Sequence, residues 1–323
     1  MNILQSKLSK GLVRIIIVIC ALFLFFYVFR INLNKIESDQ LIFSEMLLGN
    51  MAWAALFFTA QSLLIFYTWH YSLIALSAKV SAPVSILVYV SSFVARYLPG
   101  GVWHIGGRLV GLVKYGVDPI KITVALFIEQ FSAIVICLLL AMFLSFFAGE
   151  DTFYVYKSIG IVQDDYLIFV ITIQIMLSTA LVPDVFNWLL RLLLGFVDKG
   201  RRAIKVKASD LVTIYVMHLI SLLLYAIAYY YSIMVFSGDY DFSLVKVCSA
   251  VLLATFIGFV TPFVPGGIGV REAVLTALLA DGDNIIGLSV GVIVARLLMV
   301  LVESLIFMAV FIKIKAGFLS EED

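Results

Sequence analysis

Charge is scarce in this chain. Asp, Glu, Lys and Arg make up 13% of its 323 residues, about half the share of a soluble globular domain. Cysteine is rarer: Cys20, Cys137 and Cys248 each sit inside an apolar run, at neither a metal-ligating nor a disulfide spacing. A formal net charge of +1 provides no basic surplus for nucleic acid. No Gly-x-x-x-x-Gly-Lys-Ser/Thr phosphate loop occurs, so no nucleotide-driven step is expected from the chain. What the chain has in quantity is apolar surface, with 63% hydrophobic residues and a mean hydropathy of +1.12. The sequence therefore reads as an all-α polytopic membrane protein, one integral membrane domain over 1–323, with no cofactor expected.

A bilayer core takes about 20 apolar residues per helix. On that length the sequence predicts six full spans: Leu12 to Phe29, then near 44–69, 122–148, 166–182, 211–236 and 285–312. Lys7, Lys10 and Arg14 lie before or at the start of the first, which reads as a retained signal anchor. Lys79, Lys114, Lys121, Lys199, Arg201, Arg202, Lys205, Lys207, Lys313 and Lys315 fall on the same side, whereas the opposite side carries only Arg30, Lys35, Lys157 and Lys246, beside acidic residues such as Glu150, Asp151, Asp239, Asp241, Asp281 and Asp283. Positive loops stay inside, so the expectation is a cytoplasmic (plasma or inner) membrane location with both termini cytoplasmic. The stretch 183–198 starts at Pro183 and mixes Phe186, Trp188, Leu189, Leu190, Leu192 and Leu193 with Asp184, Asn187 and Arg191. It reads as an interfacial helix, with a proline kink in a longer span as the alternative.

Two stretches, 84–117 and 245–280, are apolar but interrupted. The first contains Arg96-Tyr-Leu-Pro99-Gly100-Gly101-Val-Trp-His104-Ile-Gly-Gly-Arg108, the second Pro265-Gly266-Gly267-Ile-Gly269-Val-Arg271-Glu272. Proline removes a backbone donor and glycine weakens a helix, so each Pro-Gly-Gly ends one helix and lets another begin. Each arm of about 15 residues would be about 22 Å long, short of a 30 Å hydrocarbon core. Re-entrant hairpins fit better than paired short spans, although loop charge does not separate the two. The first hairpin belongs to a first half, 1–148, and enters from the cytoplasm; the second belongs to 211–323 and enters from outside. Similar units of opposite sidedness form an inverted repeat, whose substrate site lies near the midplane. Chance recurrence, or glycines such as Gly106, Gly107 and Gly111 serving only close packing, is the competing explanation.

Irregular backbone at membrane depth is tolerated where it is buried or lines a wet cavity. The sequence places Arg96, Arg108, Arg271, Arg296, Glu129, Glu272 and Glu303 at that depth, where each charge costs at least about 2.5–3.5 kcal/mol. The returning arms start beside the glycines with unpaired backbone N–H groups, which attract anions. Arg271 in such a first turn calls for a negative neighbour, either a phosphate or an internal carboxylate. The expectation is a net-positive midplane cavity holding the phosphate of a lipid or lipid-linked sugar, with Glu129 and Glu303 competing for the arginines or carrying a proton. His70, His104 and His218 read as structural histidines, His104 being the one closest to a break.

The Arg96-x-x-Pro99-Gly100 unit, the Pro265-Gly266-Gly267-x-Gly269-x-Arg271-Glu272 run and the Pro183-led helix with its basic tail together resemble the lysylphosphatidylglycerol synthase transmembrane region, a flippase-like family, over nearly the whole chain. The resemblance implies movement of an anionic phospholipid or lipid-linked glycan, and it carries Arg96, Pro99, Gly100, Pro265, Gly266, Gly267, Gly269, Arg271 and Glu272 as matched positions. It also implies work beside envelope-biosynthesis proteins. Two-part members add a soluble aminoacyltransferase domain; these 323 residues contain none, so lipid aminoacylation is not expected. Two other classes compete: an intramembrane enzyme using Glu129, Glu272 or His104 as acid or base, and an accessory subunit of envelope polysaccharide or glycolipid synthesis.

Overall fold

The computed structural model describes residues 45–93, 95, 103–148, 174–175, 178–179, 181–197, 204–236, 242–261, 267, 269–280 and 285–319. The expected span 12–29, most of 166–182 and, apart from Gly267, the Pro-Gly-Gly triplets lie outside the described residues. Among the described residues the protein is all-helical, with no strand. The elements are α1 (Glu45–Ala75), α2 (Ala82–Phe93), α3 (Trp103–Val113), α4 (Pro119–Phe147), α5 (Pro183–Val197), α6 (Ala208–Met234), α7 (Leu244–Val260), α8 (Val270–Leu279) and α9 (Ile285–Leu319).

Four of these, α1, α4, α6 and α9, are long and apolar enough to cross a membrane, and they correspond to four of the six expected spans. Their boundaries differ from the sequence expectation by up to two turns, because capping and hydrogen bonding, not hydropathy, set helix ends. The fourth helix starts at Pro119 since Asp118 caps it, its side chain accepting from the Ile120 N–H at 2.9 Å, and proline at the first helical position needs no donor partner. The first runs on to Ala75 and ends where Ser77 takes φ +53°.

Side-chain pairs fix how the helices lie. Trp53 and Phe57 stack on Tyr231, Phe58 meets Tyr225 and Tyr229, and the Tyr71 hydroxyl donates to Asp210. Residue numbers rise along α1 as they fall along α6, so the two are antiparallel. The α2 helix folds back along α1: Ser85 pairs with His70 and Tyr89 packs on Phe66. Extending that register brings Ser92, at the end of α2, level with Leu63 near the middle of α1. The α3 helix returns alongside it, with Gly107 against Ser92 and Gly111 against Val88. The α7 helix runs back along α4, where the Cys137 thiol donates to the Leu252 carbonyl and the Ser249 hydroxyl to the Ala141 carbonyl. That register brings Val260 level with Glu129, and α8 then returns against α7.

Each broken stretch is thus a pair of short packed helices that reaches about halfway along a long one. The two pairs enter from opposite ends of the bundle, since the C-terminal end of α1 and the C-terminal end of α4 lie at opposite ends: the Lys121 ammonium at the start of α4 donates to the Ser77 carbonyl just past α1. Each pair also has its own apolar core. One gathers Phe66, Trp69, Tyr89, Leu112, Ile122, Phe186 and Ile214; the other gathers Phe58, Cys137, Tyr229, Leu252, Leu275 and Val292.

The packing has an internal exchange symmetry. Replacing α1–α4 by α6–α9, and the reverse, leaves the set of substantial helix pairings unchanged: α4 on α7 becomes α9 on α2, α3 on α4 becomes α8 on α9, and α1 on α6 becomes itself. The α5 helix stands outside this exchange and packs by Phe186 against Phe127, Phe131 and Tyr215.

Candidate functional site

Six of the residues singled out from the sequence, Arg96, Pro99, Gly100, Gly101, Pro265 and Gly266, lie outside the described residues. The others fall into two charged groups, not one. The first is Arg108 on α3 with Glu129 on α4, an ion pair of 2.5 Å in which both side chains are 3% exposed. The guanidinium is boxed by rings, 4.2 Å from the centre of Tyr89 and 5.0 Å from that of Trp69. Burying two charges costs several kcal/mol per ion unless geometry repays it; here a direct charge-assisted bond and two aromatic faces do so. His218, on α6 below Ile214, is buried, with Nδ1 against the Ile214 carbonyl at 3.1 Å, and His70 is held by Ser85 at 2.8 Å. His104 lies in the first turn of α3, partly exposed.

The second group is built at the start of α8. The return from the second break needs glycine, because Gly267 and Gly269 take φ of +68° and +84°, a region other residues rarely occupy. Gly269 is the N-cap of α8, and its N–H donates to the Glu272 carboxylate at 2.6 Å. The other carboxylate oxygen of Glu272 accepts from Arg296 on α9. One acidic side chain therefore caps a half-helix and neutralises a cation on the next long helix. The carboxylate beside this turn thus serves Arg296 on α9 and not Arg271, its neighbour in the chain.

Arg271 is arranged differently. Its guanidinium lies 4.8 Å from the ring centre of Phe259, and its stem passes between two glycines. A β-carbon at Gly258 would come within 2.4 Å of its Nε, and one at Gly267 within 2.8 Å. Its Nε is buried without a hydrogen-bond partner, and among the described residues no carboxylate pairs with Arg271. A water-sized crevice opens beside it, lined by Tyr225, Tyr229, Thr255, Arg271, Glu272 and Leu275 among others. That space is narrower than the phosphate-holding cavity expected from the sequence.

The two ion pairs are separate. Each joins a short helix to the long helix that follows it in the chain, α3 to α4 and α8 to α9, and the short pairs enter from opposite ends of the bundle. Under the exchange of halves the pairs also correspond, with polarity reversed: arginine on α3 and glutamate on α4, glutamate on α8 and arginine on α9. Glu303, two turns beyond Arg296 on α9, is buried at 5% exposure.

Sequence reasoning passed over Trp69, Tyr89, Phe259, Gly258, Tyr225, Tyr229 and Thr255. Only the tyrosines left a signal, four residues apart on one helix face; the rest acquire a role through contacts distant in sequence. In the comparisons with known proteins, no family model and no curated protein matches the sequence.

Proposed function

We propose that the chain moves an anionic phospholipid or lipid-linked glycan across the cytoplasmic membrane. In this reading α1, α4, α6 and α9 span the bilayer together with 12–29 and 166–182. The pairs α2–α3 and α7–α8 are re-entrant hairpins of an inverted repeat, the termini are cytoplasmic, and the protein is a flippase-like relative of the lysylphosphatidylglycerol synthase transmembrane region. Antiparallel α1 and α6 related by exchange of halves support the inversion, because helices so related cross a membrane in opposite senses.

The observation that carries the proposal is Arg271. Of the three described arginines at membrane depth, Arg108 and Arg296 hold carboxylates of the chain itself, while Arg271 faces a crevice with only a ring for support. An unpaired cation at that depth is costly, and a phosphate oxygen would relieve it with a charge-assisted bond. The crevice holds no more than water in this conformation, so entry of a headgroup requires the α7–α8 pair to shift against α6.

The test is lipid translocation in liposomes carrying the purified protein. Arg271→Ala should lower the rate at least about tenfold, the equivalent of one lost charge-assisted contact, while Arg271→Lys retains part of it. Wild-type rates in Arg271→Ala would overturn the assignment.

A further inference from the structure

The α5 helix and the segment 204–207, which leads into α6, have no place in the exchange of halves. The helix is two-faced. Phe186, Asn187, Leu190 and Leu194 are buried, while Val185, Trp188, Leu192 and Phe196 are exposed, Phe196 at 88%. Residues 204–207 meet its buried side at Val206, and Lys207 is extended, with φ −66° and ψ 144°. Their hold is specific: the Asn187 side chain donates to the Val206 carbonyl at 3.1 Å and accepts from the Val206 N–H at 2.9 Å, while also donating to the Pro183 carbonyl. Asn187 is 5% exposed and Val206 fully buried, so the segment cannot slide along the helix without breaking two buried hydrogen bonds.

Alternation along the segment does the rest. With Val206 inward, Lys205 and Lys207 point away from the core and are exposed. Arg191 is exposed as well, one turn from Trp188 on the helix. Among the described residues the acidic groups nearby are two. Asp184 is exposed two turns before Arg191, and Asp210 accepts from Tyr71. Three exposed cations are therefore carried by α5 and by the segment that it clamps, at the end of the bundle that also carries Lys79, Lys114 and Lys121.

We propose that this corner is a fixed seat for an anionic phospholipid of the surrounding leaflet. Arg191, Lys205 and Lys207 face its phosphate and headgroup, and its acyl chains lie along Trp188, Leu192 and Phe196. An apolar helix face bordered by basic residues is what lies in a bilayer interface and selects anionic lipid. What the clamp adds is position: the lysines are tied to the helix and cannot drift apart as they would on a loose loop. The seat rests on the membrane setting of the chain and is independent of whether the protein transports lipid.

Trp188 supplies the readout. The protein is placed in nanodiscs containing brominated phosphatidylglycerol or brominated phosphatidylcholine at equal mole fraction. The quenching lost in Trp188→Phe relative to wild type reports the lipid beside that ring. The seat predicts several-fold greater quenching by the anionic lipid, a preference that shrinks as salt rises. Lys205→Gln/Lys207→Gln should abolish the preference while leaving quenching by phosphatidylcholine intact. Asn187→Leu retains every charge and should weaken the preference by releasing the segment, with folding checked by elution profile and helicity. Equal quenching by the two lipids in wild type overturns the proposal, as does a preference that survives the double lysine variant. A preference untouched in a folded Asn187→Leu protein overturns the fixed seat in favour of diffuse surface charge. A full anionic preference with no translocation activity would leave the seat standing and count against the transport reading alone.

Discussion

Glu129 and Glu272 do related work by different means. Glu129 has one task, to balance Arg108 inside an aromatic box from which water is excluded. Glu129→Gln leaves a buried guanidinium uncompensated and should cost about 3–5 kcal/mol of stability, read as a lowered melting temperature in detergent. Arg108→Met/Glu129→Leu, which removes both charges, should recover most of that loss. If the single and double variants melt alike, the pair is not the stabilising unit. Gly258 makes a sharper point about Arg271, because a methyl group there occupies the space of the guanidinium stem. Gly258→Ala should therefore lower translocation nearly as far as Arg271→Ala while leaving the helical content unchanged. The buried charges themselves were legible in the sequence, since an ionisable residue in an apolar run stands out. Their pairing was not, because Glu272 could equally have served its neighbour Arg271, and only the approach of α9 directs it to Arg296.

The short helices are held by contact, not by propensity. An arm of 10 to 17 residues is near or below the length at which an isolated helix is stable, so each depends on its partner. In the α2–α3 pair that dependence is concentrated at Gly111, where an added β-carbon would lie 2.6 Å from a Val88 methyl. Gly111→Ala should destabilise the pair by about 1–3 kcal/mol, measured by thermal unfolding. Val88→Ala in the same chain should restore most of it; absence of rescue would mean that the arms do not meet there. The breaks and the helical arms on either side were readable from Pro-Gly-Gly in an apolar stretch. Arm length favoured hairpins over two crossings where loop charge was silent; which residues of the two arms meet was not readable, because that depends on helix register.

Across the whole bundle, the exchange of α1–α4 with α6–α9 predicts opposite sidedness for matching positions. In a background lacking the native cysteines, Tyr115→Cys, at the end of α3, and Leu244→Cys, at the start of α7, are both exposed sites at opposite ends of the bundle. In sealed vesicles of defined orientation each should react with a membrane-impermeant thiol reagent from one face only, and the faces should differ. Reaction of both from the same face would remove the inverted arrangement. Hydrophobic content, run length and the placement of lysine and arginine made the helical class, the long helices and the basic end readable in advance, because each is a property of a segment and its solvent. The separation of the charges into two pairs, the ring box around Arg108, the glycine slot for Arg271 and the clamp of Asn187 on Val206 arise where segments far apart in the chain meet. Such contacts depend on helix register and crossing, which composition and local pattern leave free.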